Sequence, residues 1–343
     1  MTEKHRLLEL DTFRGIASLL VMLFHFSTGV EGINPKFIYG NTAVDFFFII
    51  SGFVIYMSLQ RCKSVKDFFW GRVKRLFPAY WVSIVVALVT YYLFTQSYSL
   101  TPAHLIGNIL MVQPIFRTEF MVDAYWTLYV ELTFYVFIGI AWFYLRRFNI
   151  DNIILISLIV TILLNAGYLI FSSGSPYYER IFVILRGLFP LTSHFNMFAA
   201  GIIFYQIYQD GATTRRCFIL TMAFLTTLLV HDIGGRVFYL LNIYQHMATT
   251  AIYFFLFSLL TMYKLPAFLT RKYITIWGTI SYSLYLVHQS IGLSISKFLI
   301  IILTPEFSVL IGMACSIIFA FLINILVERP FFKFTQSYKV FNS

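Results

Sequence analysis

Long apolar runs alternate with short polar segments along the chain, and this pattern predicts membrane-spanning α-helices. A helix needs about 20 mostly apolar residues to cross a bilayer. Ten runs approach that length, near residues 10–30, 43–59, 77–96, 126–145, 152–172, 185–207, 216–231, 246–264, 274–294 and 307–327. A shorter run over 104–116, with Pro102 and Pro114 at its edges, favours an interfacial or re-entrant piece. We therefore expect an all-α bundle of about ten transmembrane helices.

Composition supports a membrane protein made of one domain. Hydrophobic residues make up 59% of the 343 residues, charged residues make up 12%, and the mean hydropathy is +0.79. A soluble domain with a polar surface does not sustain these values. No hydrophilic stretch is long enough for a separate soluble domain, and the first span lacks a signal-peptide cleavage site. Residues 1–343 are therefore expected to form a single transmembrane domain with a retained first helix.

The cysteines and the short motifs indicate no metal site. Cys62, Cys217 and Cys315 show neither a CxxC motif nor another metal-ligand spacing, and they imply no disulfide framework. No HExxH motif or glycine-rich phosphate loop is present in the sequence. The sequence therefore predicts no bound metal.

Positive charges are concentrated in alternate connecting segments, which predicts the orientation of the helices. Cytoplasmic segments of membrane proteins carry an excess of Lys and Arg. One set of alternate segments holds Lys4, Arg6, Arg61, Lys63, Lys66, Arg72, Lys74, Arg75, Arg146, Arg147, Arg215, Arg216, Lys264, Arg271, Lys272, Arg329, Lys333 and Lys339, and the other holds Lys36, Arg117, Arg180, Arg236 and Lys297. Both termini are therefore expected in the cytoplasm, which favours ten crossings. Orientation in the bilayer, rather than nucleic-acid binding, explains the net charge of +10.

The first span places an arginine and a histidine inside an apolar run. The eleven positions from Arg14 to His25 turn a helix so that the two side chains point within about 20° of each other, about 16 Å apart along the axis. Asp11, Ser18 and Met22 lie near the same direction, so this stripe is expected to face other helices or a cavity rather than lipid. Ionisable residues inside a membrane are functional-site candidates. In the structural alternative, Arg14 extends to the inner surface and His25 bonds a neighbouring carbonyl.

The predicted orientation sorts the ionisable residues of the spans into two layers. The outer layer holds His25, Asp45, Glu131 and His288. The inner layer holds Arg14, level with the basic segment that contains Arg72, Lys74 and Arg75. The sequence thus predicts two chemically distinct regions, one near each membrane surface.

The fourth predicted span, which contains WTLYVELTFYVF, carries a carboxylate on a polar face. Glu131 lies one turn from both Thr127 and Tyr135. A carboxylate in lipid requires a partner such as a cation, a histidine or a sugar hydroxyl. The structural alternative is an ion pair with an arginine such as Arg186.

The ninth predicted span, which contains ISYSLYLVHQSIG, carries a histidine. His288 shares a helix face with Ser281 and Tyr285. A single histidine at such a position is more often a buried core residue. Its predicted depth nevertheless favours a site shared with His25 and Glu131.

Two further segments admit both a structural and a ligand-binding interpretation. Ser51 and Gly52, near mid-membrane in the second span, permit close helix packing or leave room for a thin ligand chain. The basic segment RCKSVKDFFWGRVKRLFPAYW is a positive-inside signal with an interfacial helix. In the ligand-binding interpretation, the same segment is an anion site in which Arg72 and Arg75 offer planar guanidinium groups to a phosphate-bearing cofactor.

Five segments in order along the chain carry a resemblance to a known family. They are LDTFRGIASLLVMLFHF, with the R-x10-H spacing of Arg14 and His25, VDFFFIISGFVI, FFWGRVKRLFPAYW, WTLYVELTFY and ISYSLYLVHQSI. From about Leu8 to Pro330 the chain resembles the acyltransferase-3 family of integral membrane acyltransferases. The resemblance implies transfer of an acyl group, most often acetyl from acetyl-CoA, to a hydroxyl of a surface glycan such as lipopolysaccharide. It also implies that Arg14 and His25 are essential.

Membrane O-acyl transfer gives each candidate residue an expected role. His25 is the general base or a transient acyl carrier, Glu131 holds its imidazole, and His288 orients the acceptor or shares proton transfer. The cofactor-binding candidates are Arg14, Arg72, Arg75 and Ser51. The expected partners are acyl-CoA, a carbohydrate or lipid-linked acceptor and the lipid of the cell inner membrane, with no nucleic acid.

A proton-coupled secondary transporter or flippase for a glycan or lipid-linked sugar is the alternative function. In that case His25, Glu131 and His288 form a proton relay. The sequence shows no apparent inverted repeat, and its basic cluster is confined to the predicted inner surface. Both features favour the transferase.

Overall fold

The protein is built from α-helices joined by turns and short loops. The computed structural model describes residues 7–94, 101–145, 147–171, 176–231, 240–263 and 267–331, and these residues contain no β-strand. Their α-helices are α1 Leu8–Gly29, α2 Ala43–Leu59, α3 Val65–Phe94, α4 Pro102–Leu110, α5 Trp126–Tyr144, α6 Ile150–Phe171, α7 Pro176–Leu188, α8 Leu191–Asp210, α9 Thr214–Val230, α10 Ile243–Met262, α11 Lys272–Val287, α12 Ser294–Leu299 and α13 Pro305–Ile323. Short 3-10 helices lie at Ile38–Thr42, Gln113–Phe116, Asp123–Tyr125 and Ala267–Thr270, and π-helical turns lie at His288–Leu293 and Asn324–Glu328.

Seven helical segments of the described chain are long and apolar enough to cross a membrane. They are Leu8–Gly29, Ile38–Leu59, Val65–Phe94, Asp123–Tyr144, Ile150–Phe171, Ile243–Met262 and Pro305–Phe331. An eighth results if α7 and α8, which are bent by 45° relative to each other, count as one span. The protein is therefore an all-α, multi-pass membrane protein, as the apolar pattern predicts.

Each of the ten predicted spans corresponds to a helical segment, but three differ in form. The run at 185–207 is divided between α7 and α8, because Pro190 lacks the N–H that a continuous helix requires. The runs at 216–231 and 274–294 give α9 and α11, of 17 and 16 residues. The second of these continues into the π-helical turn at His288–Leu293. The number of crossings therefore stays a prediction.

The third span begins earlier than predicted, because the basic segment before it belongs to the same helix. Ser64 caps the start of α3: its Oγ accepts the backbone N–H of Asp67 at 3.1 Å and donates to the Asp67 carboxylate at 2.8 Å. The helix then continues through Pro78. Arg72 and Arg75 consequently lie on α3, about one turn apart, rather than in a loop.

Part of the predicted topology lies outside the described residues. This applies to Lys4, Arg6, Arg146, Arg236, Lys264, Lys333 and Lys339, and to the ends of the predicted spans at 77–96, 152–172 and 246–264. The cytoplasmic orientation of both termini therefore stays a prediction.

The helices form two compact units. Unit 1 comprises Met1–Gly40, Trp70–Trp126 and Pro266–Ser343, and unit 2 comprises Asn41–Phe69 and Thr127–Leu265. The single transmembrane domain expected over residues 1–343 stays a prediction.

In unit 1, α1 packs directly on α11 at a pair of glycines. A Cβ added to Gly15 would lie 2.7 Å from Cβ of Trp277, and one added to Gly278 would overlap the carbonyl group of Asp11. Any larger residue at either position would push the helices apart. Glycine thus lets the two backbones come into close contact.

The short apolar run at 104–116 forms α4 and the 3-10 helix Gln113–Phe116. Oδ1 of Asn108 accepts the side-chain N–H of Gln113 and the backbone N–H of Met121, both at 2.9 Å. Its carbonyl oxygen accepts the hydroxyl of Tyr80, on α3, at 2.7 Å. With nine residues, α4 is too short to cross a bilayer. This agrees with the short piece that the sequence predicts.

In unit 2, α8 is the central helix, and it is buried along most of its length. The α2 helix packs on it where a Cβ added to Gly52 would overlap the carbonyl group of Phe198. On the other side of this contact, a Cβ added to Gly201 would overlap the carbonyl oxygen of Ile49. The packing interpretation of the Ser51 and Gly52 pair is thus supported for the glycine.

Candidate active site

The polar stripe of α1 faces the interior of unit 1. Asp11, Ser18 and Met22 are buried, with 6%, 1% and 1% of their surface exposed. Arg14 and His25 are half-buried. This burial agrees with the predicted orientation of the stripe.

The contact between α1 and α11 brings two histidines to the same height. His25 follows Gly15 by ten residues, and His288 follows Gly278 by ten residues. A helix rises about 1.5 Å per residue, so each ring lies about 15 Å beyond the glycine contact. Equal offsets along two parallel, closely packed helices allow the rings to meet.

His25 and His288 form a hydrogen-bonded pair of imidazoles. Nδ1 of His25 lies 3.2 Å from Nε2 of His288 and 3.0 Å from the carbonyl oxygen of Val21. Nδ1 of His288 lies 2.8 Å from the carbonyl oxygen of Tyr285. The ring centroids are 5.0 Å apart, and His288 is buried. Each ring is therefore attached both to the other ring and to its own backbone.

The backbone carbonyls determine where the ring protons lie. A carbonyl oxygen only accepts hydrogen bonds, so Nδ1 of His288 donates to Tyr285 and Nδ1 of His25 donates to Val21. In the neutral rings, Nε2 of His288 then carries a lone pair that faces the Nδ1–H of His25. Nε2 of His25 also carries a lone pair, and no residue in the described part of the chain is hydrogen-bonded to it. His25 is thus arranged as a base, although it also makes the carbonyl bond of the structural alternative.

A third segment of unit 1 lies against the histidine pair. The backbone N–H of Ala124 donates to Oε1 of Gln289 at 2.9 Å, and the hydroxyl of Tyr285 donates to the Ala124 carbonyl at 3.2 Å. These bonds hold Asp123 close enough to His25 for an electrostatic interaction. Asp123 was not among the candidates predicted from the sequence, because no pattern along the chain connects this segment with α1.

Near the basic residues, α3 is joined to α11. The hydroxyl of Tyr282, on α11, donates to the carbonyl oxygen of Leu76, on α3, at 2.9 Å. Arg75 interacts electrostatically with Glu328, whose carboxylate accepts the hydroxyl of Ser283. Glu328, like Asp123, was not among the candidates predicted from the sequence.

The three arginines of the predicted inner layer all belong to unit 1. Arg14 lies on α1, and Arg72 and Arg75 lie on α3, each half-buried. Their common role in binding a phosphate-bearing cofactor stays a prediction.

Glu131 lies in unit 2, where two hydroxyl groups contact its carboxylate. Ser51, on α2, donates to Oε1 at 2.6 Å, and Tyr135, one turn further along α5, donates to the same oxygen. These are the hydrogen-bond partners of Glu131 among the residues that the structure describes. Arg186 instead lies over the ring of Tyr168, 4.4 Å from its centroid. The interpretation of Glu131 as an ion-pair partner of this arginine is therefore wrong.

The predicted partnership of His25 with Glu131 joins residues of different units. His25 and His288 belong to unit 1, whereas Glu131 and Ser51 belong to unit 2. Within unit 1, Nδ1 of His25 contacts His288 and the carbonyl oxygen of Val21. The catalytic role of Glu131 and the cofactor contact of Ser51 stay predictions.

Asp45, the remaining member of the predicted outer layer, is paired with a histidine of unit 2. Its Oδ2 lies 2.9 Å from Nε2 of His246, and Nδ1 of His246 lies 3.1 Å from Nδ1 of His231. Neither histidine was among the candidates predicted from the sequence. Asp45 and His246 are 201 positions apart, and nothing in their spacing connects them.

Comparison with protein families supports the assignment suggested by the motifs. A family model described as an acyltransferase domain, Acyl_transf_3, matches residues 7–329. The chain belongs to the acyltransferase-3 family. The resemblance carried by the five sequence motifs is thereby confirmed.

Two relatives of this acyltransferase-3 protein are similar over part of their length. An O-acetyl transferase of Shigella phage Sf6 is 26% identical over 217 residues, which cover 57% of this chain and 62% of the relative. Nodulation protein 10 of Rhizobium leguminosarum bv. viciae is 32% identical over 112 residues, which cover 27% of this chain and 30% of the relative. This chain thus spans less than two thirds of either relative. No solved structure matches it.

Proposed function

We propose that this acyltransferase-3 protein is a membrane O-acetyltransferase. It moves the acetyl group of cytoplasmic acetyl-CoA to a hydroxyl of a cell-surface carbohydrate, and its location is the cell inner membrane. Family membership and the name of the phage relative support acyl transfer. The predicted position of the basic segment on the cytoplasmic side supports a cytoplasmic donor.

The observation that carries this proposal is the hydrogen bonding of Nδ1 of His25, which donates to the carbonyl oxygen of Val21 and faces Nε2 of His288. This bonding leaves the lone pair of His25 on Nε2. There the imidazole removes the proton of an acceptor hydroxyl as the oxygen attacks the thioester carbon. The carbon–sulfur bond breaks, and the imidazolium gives the proton to the departing CoA thiolate. General-base catalysis of this kind typically contributes about 10²–10⁴ in rate.

Arg14, Arg72 and Arg75 are proposed to bind the phosphates of CoA. A guanidinium group presents several N–H donors in one plane, which suits the oxygens of a phosphate. Because Arg72 and Arg75 are three residues apart on α3, their side chains share one helix face. This arrangement supports a donor site formed by unit 1.

The direct test uses purified protein in lipid bilayers with acetyl-labelled acetyl-CoA. The proposal predicts that adding a surface glycan releases free CoA and transfers label to the glycan in equal amounts. Movement of unlabelled glycan across the bilayer, without release of CoA, would instead identify a transporter or flippase.

The donor site is tested by replacing one arginine and measuring acetyl-CoA binding at equilibrium. A charge-assisted hydrogen bond contributes about 1.5–3 kcal/mol, so Arg72→Gln is expected to weaken binding by about tenfold or more. Arg61→Gln, at an exposed arginine of the same basic segment, is the matched control and is expected to bind normally. Equal affinities in both variants would rule out the proposed phosphate contact.

A further inference from the structure

The short 3-10 helix Asp123–Tyr125 is bound to the turn of unit 1 that carries His288. The backbone N–H of Ala124 donates to Oε1 of Gln289 at 2.9 Å, and the carbonyl oxygen of Ala124 accepts the hydroxyl of Tyr285 at 3.2 Å. Tyr285 lies three residues before His288, and Gln289 lies directly after it. The two bonds therefore attach this short helix to residues on both sides of the histidine.

The residues around Asp123 are also bound to α3. The hydroxyl of Tyr91 donates to the carbonyl oxygen of Met121 at 2.7 Å. The hydroxyls of Ser83 and Tyr125 are hydrogen-bonded at 2.8 Å, and Tyr125 is 0% exposed. Asp123 itself is exposed. The backbone on both sides of Asp123 is thus fixed to the rest of unit 1, which limits the positions that its carboxylate can take.

The carboxylate of Asp123 interacts with His25 as a charge rather than as a hydrogen-bond partner. Its electrostatic interactions are with His25 and Tyr91, and within the described part of the chain it forms no ion pair with a lysine or an arginine. The hydrogen bonds of the His25 ring to described residues involve Val21 and His288. A carboxylate that acts through space leaves the tautomer of the neutral ring unchanged and favours the positive form of the ring.

The proposed reaction creates a positive charge that the histidine pair does not balance. When Nε2 of His25 accepts a proton, the imidazolium lies beside a neutral His288 and the carbonyl oxygen of Val21. An uncompensated charge within a membrane protein carries a high free-energy cost. Among the described residues, Asp123 is the carboxylate that interacts electrostatically with His25. It is therefore the anion placed to lower the free energy of the charged state.

We propose that Asp123 is a positioning residue of the acetyl transfer, which stabilises the imidazolium of His25 while it holds the proton of the acceptor. The proton passes from the acceptor hydroxyl to Nε2 and then to the CoA thiolate. The carbon–oxygen bond forms as the carbon–sulfur bond breaks, and Asp123 neither gains nor loses a proton. This role rests on the function proposed above, whereas the interaction between Asp123 and His25 does not.

The role is tested by replacing the carboxylate and measuring transfer of labelled acetyl groups to a glycan. An opposite charge near an ionisable group changes its protonation equilibrium by about tenfold or more. Because Asp123 is exposed to water, Asp123→Asn is expected to lower kcat by about threefold to tenfold, with the KM for acetyl-CoA and for the glycan unchanged. Asp123→Glu keeps the charge and is expected to restore most of the rate. Glu119→Gln, at another exposed carboxylate of the same segment, is the matched control and is expected to react normally.

Three kinetic results would overturn the proposal. They are a normal kcat in Asp123→Asn, an equally low kcat in Asp123→Asn and Asp123→Glu, and a higher KM for the glycan with an unchanged kcat. The last result would identify Asp123 as a contact of the acceptor instead.

The interaction is tested without turnover by nitrogen-15 NMR of the full-length protein in bilayers, with its histidines labelled in the ring. The chemical shifts of the ring nitrogens report the fraction of His25 that is an imidazolium at one fixed acidic pH, and the loss of its signals in His25→Gln identifies them. This fraction is expected to fall in Asp123→Asn and to stay constant in Glu119→Gln. An unchanged fraction in Asp123→Asn would overturn the proposal. If the wild type transfers no acetyl group, the function proposed above fails, while the NMR result still decides whether Asp123 stabilises the charge.

Discussion

Each unit contains one pair of hydrogen-bonded imidazoles. The group of the protein that binds the rings of each pair, which we call its anchor, differs between the units. In unit 1, the rings of His25 and His288 are held by the carbonyl oxygens of Val21 and Tyr285. In unit 2, the ring of His246 is held by the carboxylate of Asp45, and the ring of His231 is bonded to that of His246. The distances between the ring nitrogens are nearly equal, at 3.2 and 3.1 Å. The difference between the pairs therefore lies in the charge of the anchor.

A neutral anchor and a charged anchor suit different tasks. A carbonyl selects the tautomer of an imidazole without adding charge, so the unit 1 pair presents a neutral base. A carboxylate stabilises an added positive charge, so the pair of His246 and His231 in unit 2 is suited to holding a proton. Charge inside a membrane carries a high free-energy cost. The charge of the anchor therefore affects protonation of each histidine pair more strongly than it would in water.

The largest effect is expected from removing the base of unit 1. His25→Gln is predicted to lower acetyl transfer by about 10²–10⁴, or about 3–5 kcal/mol, because the glutamine amide does not accept the hydroxyl proton. Binding of acetyl-CoA is expected to be unchanged. His104→Gln, at another buried histidine of unit 1, is the control for general effects on folding. Transfer at a near-normal rate by a stably folded His25→Gln variant would show that the pair in unit 1 is structural.

The next effect is expected at the glycine contact that sets the height of the unit 1 pair. Gly278→Ala places a methyl group against the Asp11 carbonyl, and overpacking of this kind destabilises by about 1–3 kcal/mol. A lower thermal midpoint and a loss of acetyl transfer are predicted. Gly71→Ala is the matched control, since nothing lies within 4 Å of a Cβ at that helical position. If the two variants had equal midpoints, α1 and α11 would not require the close contact.

A smaller effect is expected when the anchor of the base is changed. His288→Leu removes one of the two acceptors of the His25 Nδ1–H and leaves the Val21 carbonyl. The loss of this hydrogen bond is predicted to lower kcat by about tenfold. KM for acetyl-CoA is expected to stay constant. In His288→Gln the amide oxygen can accept the same N–H, so part of the rate is expected to return. Equal rates in the leucine and glutamine variants would argue against an orienting role.

The smallest effect is expected where α3 is attached to α11. Tyr282→Phe removes the hydroxyl that donates to Leu76, at a cost of about 0.5–1.5 kcal/mol. Because Arg72 and Arg75 lie on the same helix, acetyl-CoA binding is predicted to weaken by a few fold, whereas kcat is unchanged. Isothermal titration measures the first quantity and initial rates measure the second. A fall in kcat with normal affinity would place the effect on the histidine pair instead.

Periodicity along the chain predicted the features that depend on one helix. The positions of the spans, the stripe that contains Arg14 and His25, and the shared helix face of Glu131 and Tyr135 all follow from the geometry of single helices. The bend between α7 and α8 was missed, although Pro190 provided a local signal for it. Local patterns were thus sufficient wherever one helix determined the outcome.

Contacts between helices were not accessible from periodicity. The partnership of His25 with His288 depends on the close contact of α1 with α11, which requires that Gly15 and Gly278 face each other. The contacts among Asp45, His246 and His231 depend on the meeting of three helix ends, and the position of Asp123 depends on the short 3-10 helix Asp123–Tyr125. Predicted depth associated His288 with His25 and Glu131. Apolar helix faces are similar in composition, however, so the sequence did not indicate which of these helices are in direct contact.

The most direct test of the account measures whether His288 acts on the reaction only through His25. Acetyl transfer is compared in the wild type, in His25→Gln, in His288→Leu and in the double variant, at saturating acetyl-CoA. The account predicts that the double variant retains the same residual rate as His25→Gln, because His288 then has no base left to orient. A further fall in the double variant, by the factor that His288→Leu causes in the wild type, would contradict it.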